Sequence, residues 1–210
     1  MQTRDAEIIE YIRKVHYADT QTLAYLFFPS IQRAQTRLKE LVLAKRLKRV
    51  SLGSRQGYAY MFPDTKVPLD LGKVILLSKL SLYFKYELGR EVLRSEYDVK
   101  LITKKANTEP LECDAVFVTR DTTNTVEVFI VESTLSQQLV LEKIVRYENY
   151  SKYKEYLKTF PKGMPKLLFV TDCIIPKSNL EAYKLDREFT ERVAILNAYN
   201  YKTKLCISES

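Results

Sequence analysis

Tryptophan is absent from this 210-residue chain, and histidine occurs once, at His16. A single histidine excludes a metal centre built from several histidines, and with it the relaxases that place such a centre beside a nucleophilic tyrosine. Cysteine is also scarce. Cys113, Cys173 and Cys206 have no metal-binding spacing and lie in apolar runs, so we expect buried, reduced thiols.

Long hydrophobic runs are missing as well. None approaches the roughly 18 residues that a membrane-spanning helix requires. The first residues, MQTRDAEIIEYIRK, lack the apolar core and cleavage site of a signal peptide. We therefore expect a cytoplasmic protein without a membrane partner. Its 46% hydrophobic and 29% charged residues are typical of a folded globular chain.

Positive charge is in excess and is unevenly distributed. Residues 1–62 contain 11 Lys and Arg against 5 Asp and Glu, a net charge of +6. Residues 63–210 contain 23 against 21, a net charge of +2. This asymmetry predicts a basic module joined to a nearly neutral body, and nucleic acid or another anionic surface is the natural partner of such a module.

Three helices and a hairpin are predicted in the first 62 residues. Helical spacing covers residues 4–16, Asp19 or Thr20 can cap a second helix, and Ser30 can cap a third, IQRAQTRLKELVLAKR. The runs LKRVSL and YAYMF, joined by the five-residue loop GSRQG, predict a β-hairpin. This order is typical of a winged helix-turn-helix, in which the third helix is the recognition helix.

The third helix is predicted to place a polar face opposite an apolar face formed by Ile31, Ala34, Leu38, Leu41 and Val42. Gln and Arg can bind purine edges, and Lys and Thr suit phosphates. An Arg at the hairpin tip can reach a minor groove or the backbone. The predicted contacts to double-stranded DNA are Gln32, Arg33, Thr36, Arg37, Lys39 and Arg55, with Glu40 on the same helix face. A solvated helical domain, or a module that binds protein, would also have a polar face.

Residues 63–72 contain two prolines and are predicted to be a linker. Residues 73–210 are predicted to form a separate α/β domain with a mixed sheet. Its elements are the helix KVILLSKLSLYFKYEL, the strands VLRSEYDVKLI, LECDAVFVTR and TVEVFIVES with a turn at 121–124, a long helix at 135–158, the strand KLLFVTD, a helix at 179–196 and the strand TKLCIS. The apolar runs without alternation indicate central strands covered on both faces.

Two carboxylates occur at strand positions that matter for metal-dependent nucleases. The element order, with Asp114 and Glu132 on successive strands, resembles the restriction-endonuclease-like fold. In that fold an Asp and a Glu share a divalent ion, and a Lys two residues after the Glu assists the attacking water. Here that position is Thr134, which cannot supply positive charge, and Lys143 on the next helix is the candidate replacement.

Because Thr134 stands at the position of the Lys, catalysis is not expected. We expect Asp114 and Glu132 to cap strand ends or pair with bases, without catalysis and without a cofactor. If the endonuclease hypothesis holds, Asp114 and Glu132 are the metal ligands, Mg²⁺ is the cofactor and Lys143 is catalytic. Glu87 or Glu91 is then a candidate third acidic residue.

The two halves together resemble the replication-relaxation proteins of bacterial plasmids and mobile elements, over about residues 5–175. The resemblance rests on LAYLFFPSIQRAQTRLKELVLAKRLKRV in the first half, with Arg33, Arg37 and Leu38, and on LECDAVFV, VFIVEST and KIVRYENYSKY in the second. It implies a winged helix joined to a nuclease-like domain, and a DNA-binding role in replication, relaxation or mobilisation. A relaxase or a replication initiator would then be a partner.

Tyr147, Tyr150, Tyr153 and Tyr156 recur every three residues on the long predicted helix. A step of three residues advances the helix by about 300°, so the row winds around it. We expect one or two tyrosines to pack on the sheet and the others to be half exposed, where they can join a homodimer or a partner. The predicted function is that of a DNA-binding accessory protein without catalysis. The alternatives are a Mg²⁺-dependent endonuclease and a dimeric transcription repressor.

Overall fold

The structure is a computed structural model, and it describes residues 3–53, 57–101, 111–133, 136–152, 154–161, 163–171 and 193–197. These residues form α-helices and two β-sheets, so the predicted α/β class is confirmed. Contacts divide the chain into two compact units. The first contains residues 1–95 and 119–124, and the second contains residues 96–118 and 125–210. Among the described residues, no helix is long and apolar enough to cross a membrane.

The first unit begins with the three predicted helices and the predicted hairpin. The elements are α1 (Thr3–Val15), β1 (Ala18–Asp19), α2 (Thr20–Phe27), α3 (Ile31–Leu43), β2 (Lys48–Ser51) and β3 (Tyr58–Met61). The strands form an antiparallel sheet in the order β1-β3-β2. Strand β1 was not predicted, because two residues are too few to show a periodicity.

Side-chain caps explain where two of these helices begin. The Oδ1 atom of Asp19 accepts a hydrogen bond from the backbone N–H of Thr22 at 2.8 Å. The Oγ atom of Ser30 accepts one from the N–H of Arg33 at 3.4 Å. The buried side chains of the three helices, including Ile8, Ile12, Leu23, Ala34 and Leu38, form one core. The prediction that Ile31 lies on the apolar face of α3 is wrong, because this first residue of the helix is 40% exposed.

The first half of the predicted linker is held by side chains of the preceding elements. Lys48 Nζ donates to the backbone carbonyls of Pro63, at 3.0 Å, and Thr65. The hydroxyl of Tyr17 donates to the carbonyl of Lys66 at 2.8 Å. Residues 63–66 therefore lie against the sheet of the first unit.

The helix predicted from residue 73 is divided in two, α4 (Leu71–Ser78) and α5 (Leu80–Tyr86). Both helices belong to the first unit, which continues to residue 95. The hydroxyls of Tyr11 and Ser81 are 2.7 Å apart, and Lys79 Nζ lies 2.7 Å from Asp19 Oδ2. The predicted linker at 63–72, which would separate a domain of residues 1–62 from a domain of residues 73–210, stays a prediction.

A five-stranded sheet dominates the rest of the chain. Its strands are β4 (Glu91–Leu101), β5 (Leu111–Arg120), β6 (Val126–Ser133), β7 (Lys166–Thr171) and β8 (Val193–Asn197), in that spatial order. Strands β6, β7 and β8 are parallel. Five residues join β5 to its neighbour β6, a connection too short for a parallel pair, so the sheet is mixed as predicted.

Two boundary predictions in this half are wrong. The long helix α6 (Gln137–Lys152) ends six residues early, and a 3₁₀ helix, Glu155–Lys158, follows Lys154, whose φ is +50°. Residues 193–196 were predicted as the end of a helix but lie in β8, because an apolar run of this length also suits a strand and here pairs with β7. Residues 179–192, the strand TKLCIS, Cys173 and Cys206 lie outside the described residues.

Candidate functional site

Glu132 is the central residue of the carboxylate site. It follows the buried residues Ile130 and Val131 near the end of β6, and its own side chain is 1% exposed. Its Oε1 accepts a hydrogen bond from the hydroxyl of Tyr147 at 2.6 Å, and its Oε2 forms an ion pair with Lys143 Nζ. Lys143 and Tyr147 are four residues apart on α6, so one helix face supplies both donors.

Asp114 lies beside Glu132 on the neighbouring strand. Its Oδ2 accepts a hydrogen bond from the backbone N–H of Ser133 at 2.5 Å, which ties β5 to the end of β6. The negative charge of Asp114 also acts on the Glu132 carboxylate. The structure thus groups Asp114, Glu132 and Lys143, the three residues that the endonuclease hypothesis requires. Thr134 lies outside the described residues.

Burial controls the protonation of this group. It raises the pKa of Glu132, and Asp114 adds to the rise, while the charge of Lys143 and the hydrogen bonds from Lys143 and Tyr147 oppose it. Burial, followed by the charge of Glu132, also raises the pKa of Tyr147, so its hydroxyl remains a donor. The same two causes raise the pKa of Cys113 to about 12. The prediction of a buried, reduced thiol is confirmed for Cys113.

A third metal ligand is not found in the part of the chain that the structure describes. No group of three or more His, Cys, Asp or Glu side chains there could hold a metal ion. Glu91, a predicted candidate, instead accepts hydrogen bonds from Lys14 at 2.6 Å and Arg120 at 3.0 Å. Glu87, the other candidate, closes α5 through its backbone N–H, which bonds to the carbonyl of Tyr83. Within the described part of the chain, the carboxylates available to an ion at this place are therefore those of Asp114 and Glu132.

The tyrosine row is largely internal. Tyr147 and Tyr150 are 0% and 2% exposed, which confirms that one or two of the tyrosines pack on the sheet. Tyr156 is partly buried against the same core, and Tyr153 lies outside the described residues. Sequence reasoning missed the hydrogen bond from Tyr147 to Glu132. The available signal was its spacing of four residues from Lys143.

The exposed face of α3 carries most of the predicted DNA contacts. Gln32, Arg33, Thr36 and Lys39 are exposed, whereas Ala34 and Leu38 on the opposite face are fully buried. The hydroxyl of Thr36 donates to the carbonyl of Gln32 at 3.1 Å, so it is directed along the helix. Arg55, the predicted contact on the hairpin tip, lies outside the described residues.

Arg37 differs from its neighbours on α3, because its guanidinium is already paired. Nε and Nη2 donate to the two carboxylate oxygens of Asp5, at 3.0 and 2.5 Å, and Nη1 pairs with Glu40. The side chain of Asp5 is 3% exposed, and the hydrogen bonds from Arg37 lower the pKa of Asp5. The side chain of Arg37 therefore fastens α3 to α1, a role that the sequence analysis did not foresee.

A further cation lies on the hairpin. The guanidinium carbon of Arg49 is 4.3 Å from the centroid of the Tyr58 ring, and both residues are exposed. Stacking on an aromatic ring limits the rotamers of an arginine while leaving its N–H groups available for other partners. The sequence analysis named Arg55 on the hairpin and did not consider Arg49.

No family model matches the sequence, and no curated protein matches it. Among solved structures, the crystal structure of protein VC1899 from Vibrio cholerae is similar, with a TM-score of 0.39 and 11% identity. The match covers 81% of this chain and 41% of that chain, so this chain spans under half of its length. A similarity at this level carries no inference about function.

Proposed function

We propose that this chain binds double-stranded DNA through a winged helix in its first unit, and acts in the replication, relaxation or mobilisation of a plasmid or similar element. One observation carries the DNA-binding part. A helix whose buried face is fixed in a core presents Gln32, Arg33 and Lys39 to solvent and is followed by a β-hairpin. The net charge of +6 in residues 1–62 supports the same partner.

We assign a task to each predicted contact. In this class of domain, residues near the start of the recognition helix reach base edges in the major groove. Gln32 and Arg33 hold those positions on α3, and Gln and Arg form bidentate bonds to adenine and guanine respectively. Lys39, near the other end, suits a phosphate. The bidentate pair of Arg37 with Asp5 holds α3 in place against α1.

Salt titrations of DNA binding test this assignment. Arg33→Ala with Lys39→Ala should reduce the slope of log K against log salt by about 0.9, the value for the one phosphate assigned to Lys39, and the loss of Arg33 should relax base preference. Lys100→Ala with Lys152→Ala removes the same charge from exposed positions in the second unit and serves as the control. Equal slopes for the two double variants would contradict the placement of DNA on α3.

The role in a mobile element rests on the resemblance to replication-relaxation proteins. It predicts that deletion of the gene lowers the copy number or transfer of the element that carries it. Wild type should restore maintenance and transfer, and the Arg33/Lys39 variant should not. Normal maintenance and transfer after deletion would leave DNA binding standing and remove this cellular role.

A second candidate function, a metal-dependent endonuclease, is favoured by the contact of Lys143 with Glu132. This contact places a cation at the carboxylate pair although the usual Lys position is Thr134. Two neighbouring carboxylates, Asp114 and Glu132, are the hard oxygen ligands that Mg²⁺ prefers, and it commonly completes its shell with water. When bound, the ion would stabilise charge on a phosphate undergoing attack. Lys143 would orient the attacking water or the phosphate.

Cleavage assays with Mg²⁺ and Mn²⁺ decide between a DNA-binding protein and an endonuclease. The substrates should be supercoiled, linear and single-stranded DNA. Wild type should be compared with the variants Asp114→Ala and Glu132→Gln. Glu142→Gln is the control, because Glu142 lies exposed on α6. Metal-dependent nicking that only the first two variants lose supports the endonuclease. Absence of nicking by wild type limits the protein to binding.

A further inference from the structure

Glu40 is the only acidic residue of α3, a helix that also carries Arg33, Arg37 and Lys39. A carboxylate repels phosphate, so it opposes the DNA binding proposed for this helix. The side chain is 51% exposed, and its Oε2 pairs with Nη1 of Arg37, three residues earlier. Exposed pairs at this spacing contribute little to stability, so the fold does not require Glu40.

The guanidinium of Arg37 lies between two carboxylates. Nε and Nη2 donate to the two oxygens of Asp5, at 3.0 and 2.5 Å, and Nη1 donates to Glu40. Asp5 is buried on α1, whereas Glu40 is exposed, so Glu40 covers the part of the guanidinium that is directed toward solvent. One positive and two negative charges give this group a net negative charge, and a phosphate that approached Nη1 would meet the Glu40 carboxylate.

We propose that Glu40 limits DNA binding by keeping the guanidinium of Arg37 from phosphate groups. The inference deepens the first proposed function, and it rests on that function only where DNA is the ligand. Arg33 and Lys39 then supply the positive charge that α3 offers to DNA, while Arg37 remains attached to α1. Glu40 thereby lowers the affinity for any duplex, because phosphates carry no sequence information.

Removal of the negative charge has a defined effect. In Glu40→Gln the side chain keeps its size but can no longer form an ion pair, so Nη1 of Arg37 becomes available to a phosphate. Asp5 still holds Nε and Nη2, so α3 keeps its position against α1. One added phosphate contact should steepen the slope of log K against log salt by about 0.9, which corresponds to about eightfold tighter binding at 0.1 M salt.

Glu10→Gln is a matched control. Glu10 pairs with Arg13 at the same spacing of three residues and is 49% exposed, but it lies on α1. This variant makes the same change in net charge outside the recognition helix, so its slope should equal that of wild type.

A second comparison tests whether Arg37 makes the new contact. Lysine has a single ammonium group without the planar fork of arginine, so Lys at position 37 cannot serve Asp5 and a phosphate in the same way. The slope gained in Glu40→Gln should therefore be lost when Arg37→Lys is combined with it, relative to Arg37→Lys alone. Thermal melts of all variants establish that they are folded.

Two ligands provide the readouts. The first is a duplex of random sequence, titrated at several salt concentrations with wild type and each variant. The second is inorganic phosphate, added while the ¹⁵N resonances of the Arg37 guanidinium are followed by NMR. We expect phosphate to shift these resonances in Glu40→Gln and to leave them nearly unchanged in wild type and Glu10→Gln.

The outcomes separate this inference from the proposed function. A steeper slope in Glu40→Gln alone, lost with Arg37→Lys, supports both. Equal slopes for folded wild type and Glu40→Gln, the same gain in Glu10→Gln, or a gain that persists with Arg37→Lys overturns the role of Glu40. If wild type binds no duplex, the proposed function fails and the phosphate titration decides. A response of Arg37 only in Glu40→Gln then upholds the role of Glu40, and equal responses overturn it.

Discussion

Two cation–carboxylate pairs, one in each unit, show how differently the same chemistry can be used. Asp5 and Glu132 are both buried, with side chains 3% and 1% exposed. Each pairs with a cationic side chain from a helix, and these cations are similarly exposed, 31% for Arg37 and 27% for Lys143. Yet the pKa of Asp5 is lowered and the pKa of Glu132 is raised.

The difference follows from the partners. Asp5 accepts two hydrogen bonds from one planar guanidinium, and Arg4 and Arg46 add positive charge nearby. Glu132 has a single ammonium, a neutral phenol and a second carboxylate, Asp114, and there the effect of burial outweighs that of the partners. The first pair is suited to hold two helices together. In the second pair the protonation state of the carboxylate depends on its neighbours, which is typical of a functional site.

The largest expected effect comes from removal of Arg37. Arg37→Met leaves the Asp5 carboxylate buried without its main partner and removes two hydrogen bonds to it, and removal of one partner of a buried ion pair is strongly destabilising. We expect the Tm to fall by several degrees. Arg33→Met, an exposed residue on the same helix, is the control and should leave the Tm nearly unchanged. Equal Tm values for the two variants would show that the Asp5 pair contributes little.

Removal of Lys143 should destabilise the protein less. Glu132 already has a raised pKa, so in Lys143→Met it can take up a proton instead of remaining a buried charge. We expect a loss of no more than about 3 kcal/mol in the free energy of unfolding at neutral pH. Urea denaturation should show the loss shrinking as the pH is lowered. A loss that is constant with pH would contradict proton uptake by Glu132.

Acidification should change the contributions of Asp5 and Glu132 to the stability of the fold in opposite directions. Asp5, with a lowered pKa, contributes stability above its ordinary value of 3.8 and loses it as the pH falls further. Glu132, with a raised pKa, contributes most below its ordinary value of 4.5 and less as the pH rises through its folded value. Relative to Glu132→Gln, wild type should therefore gain stability on acidification. Relative to Asp5→Asn, it should lose stability below pH 3.8. Denaturation of all three across this range provides the measurement.

The smallest effect concerns Arg49. If the proposed DNA interface includes the hairpin, the stacking of Arg49 on Tyr58 pre-orders it for a phosphate, and Arg49→Ala should then reduce the salt slope of DNA binding by about one unit without changing base preference. Arg49→Lys should keep most of the slope. An unchanged slope would exclude Arg49 from the phosphate contacts.

Local signals account for what could be predicted. The caps Asp19 and Ser30 and the spacing of apolar residues located the first three helices, because these features act within one or two turns. Strand order placed Asp114 beside Glu132. The pairs Asp5–Arg37 and Glu132–Tyr147 were missed, because they join residues 32 and 15 apart and depend on how helices pack. The strand at 193–197 was missed because its apolar run fits two structures equally well, and pairing with β7 decides between them.

The anchoring of residues 63–66 has a consequence for how far the first unit can rearrange. Lys48 and Tyr17 hold the carbonyls of Pro63, Thr65 and Lys66, so the part of the connection between β3 and α4 that these bonds leave free is residues 67–70. Four extended residues span at most about 14 Å. Helix α4 therefore begins within about 14 Å of Lys66, and we expect proteases to cut in this connection, where Leu69 is fully exposed.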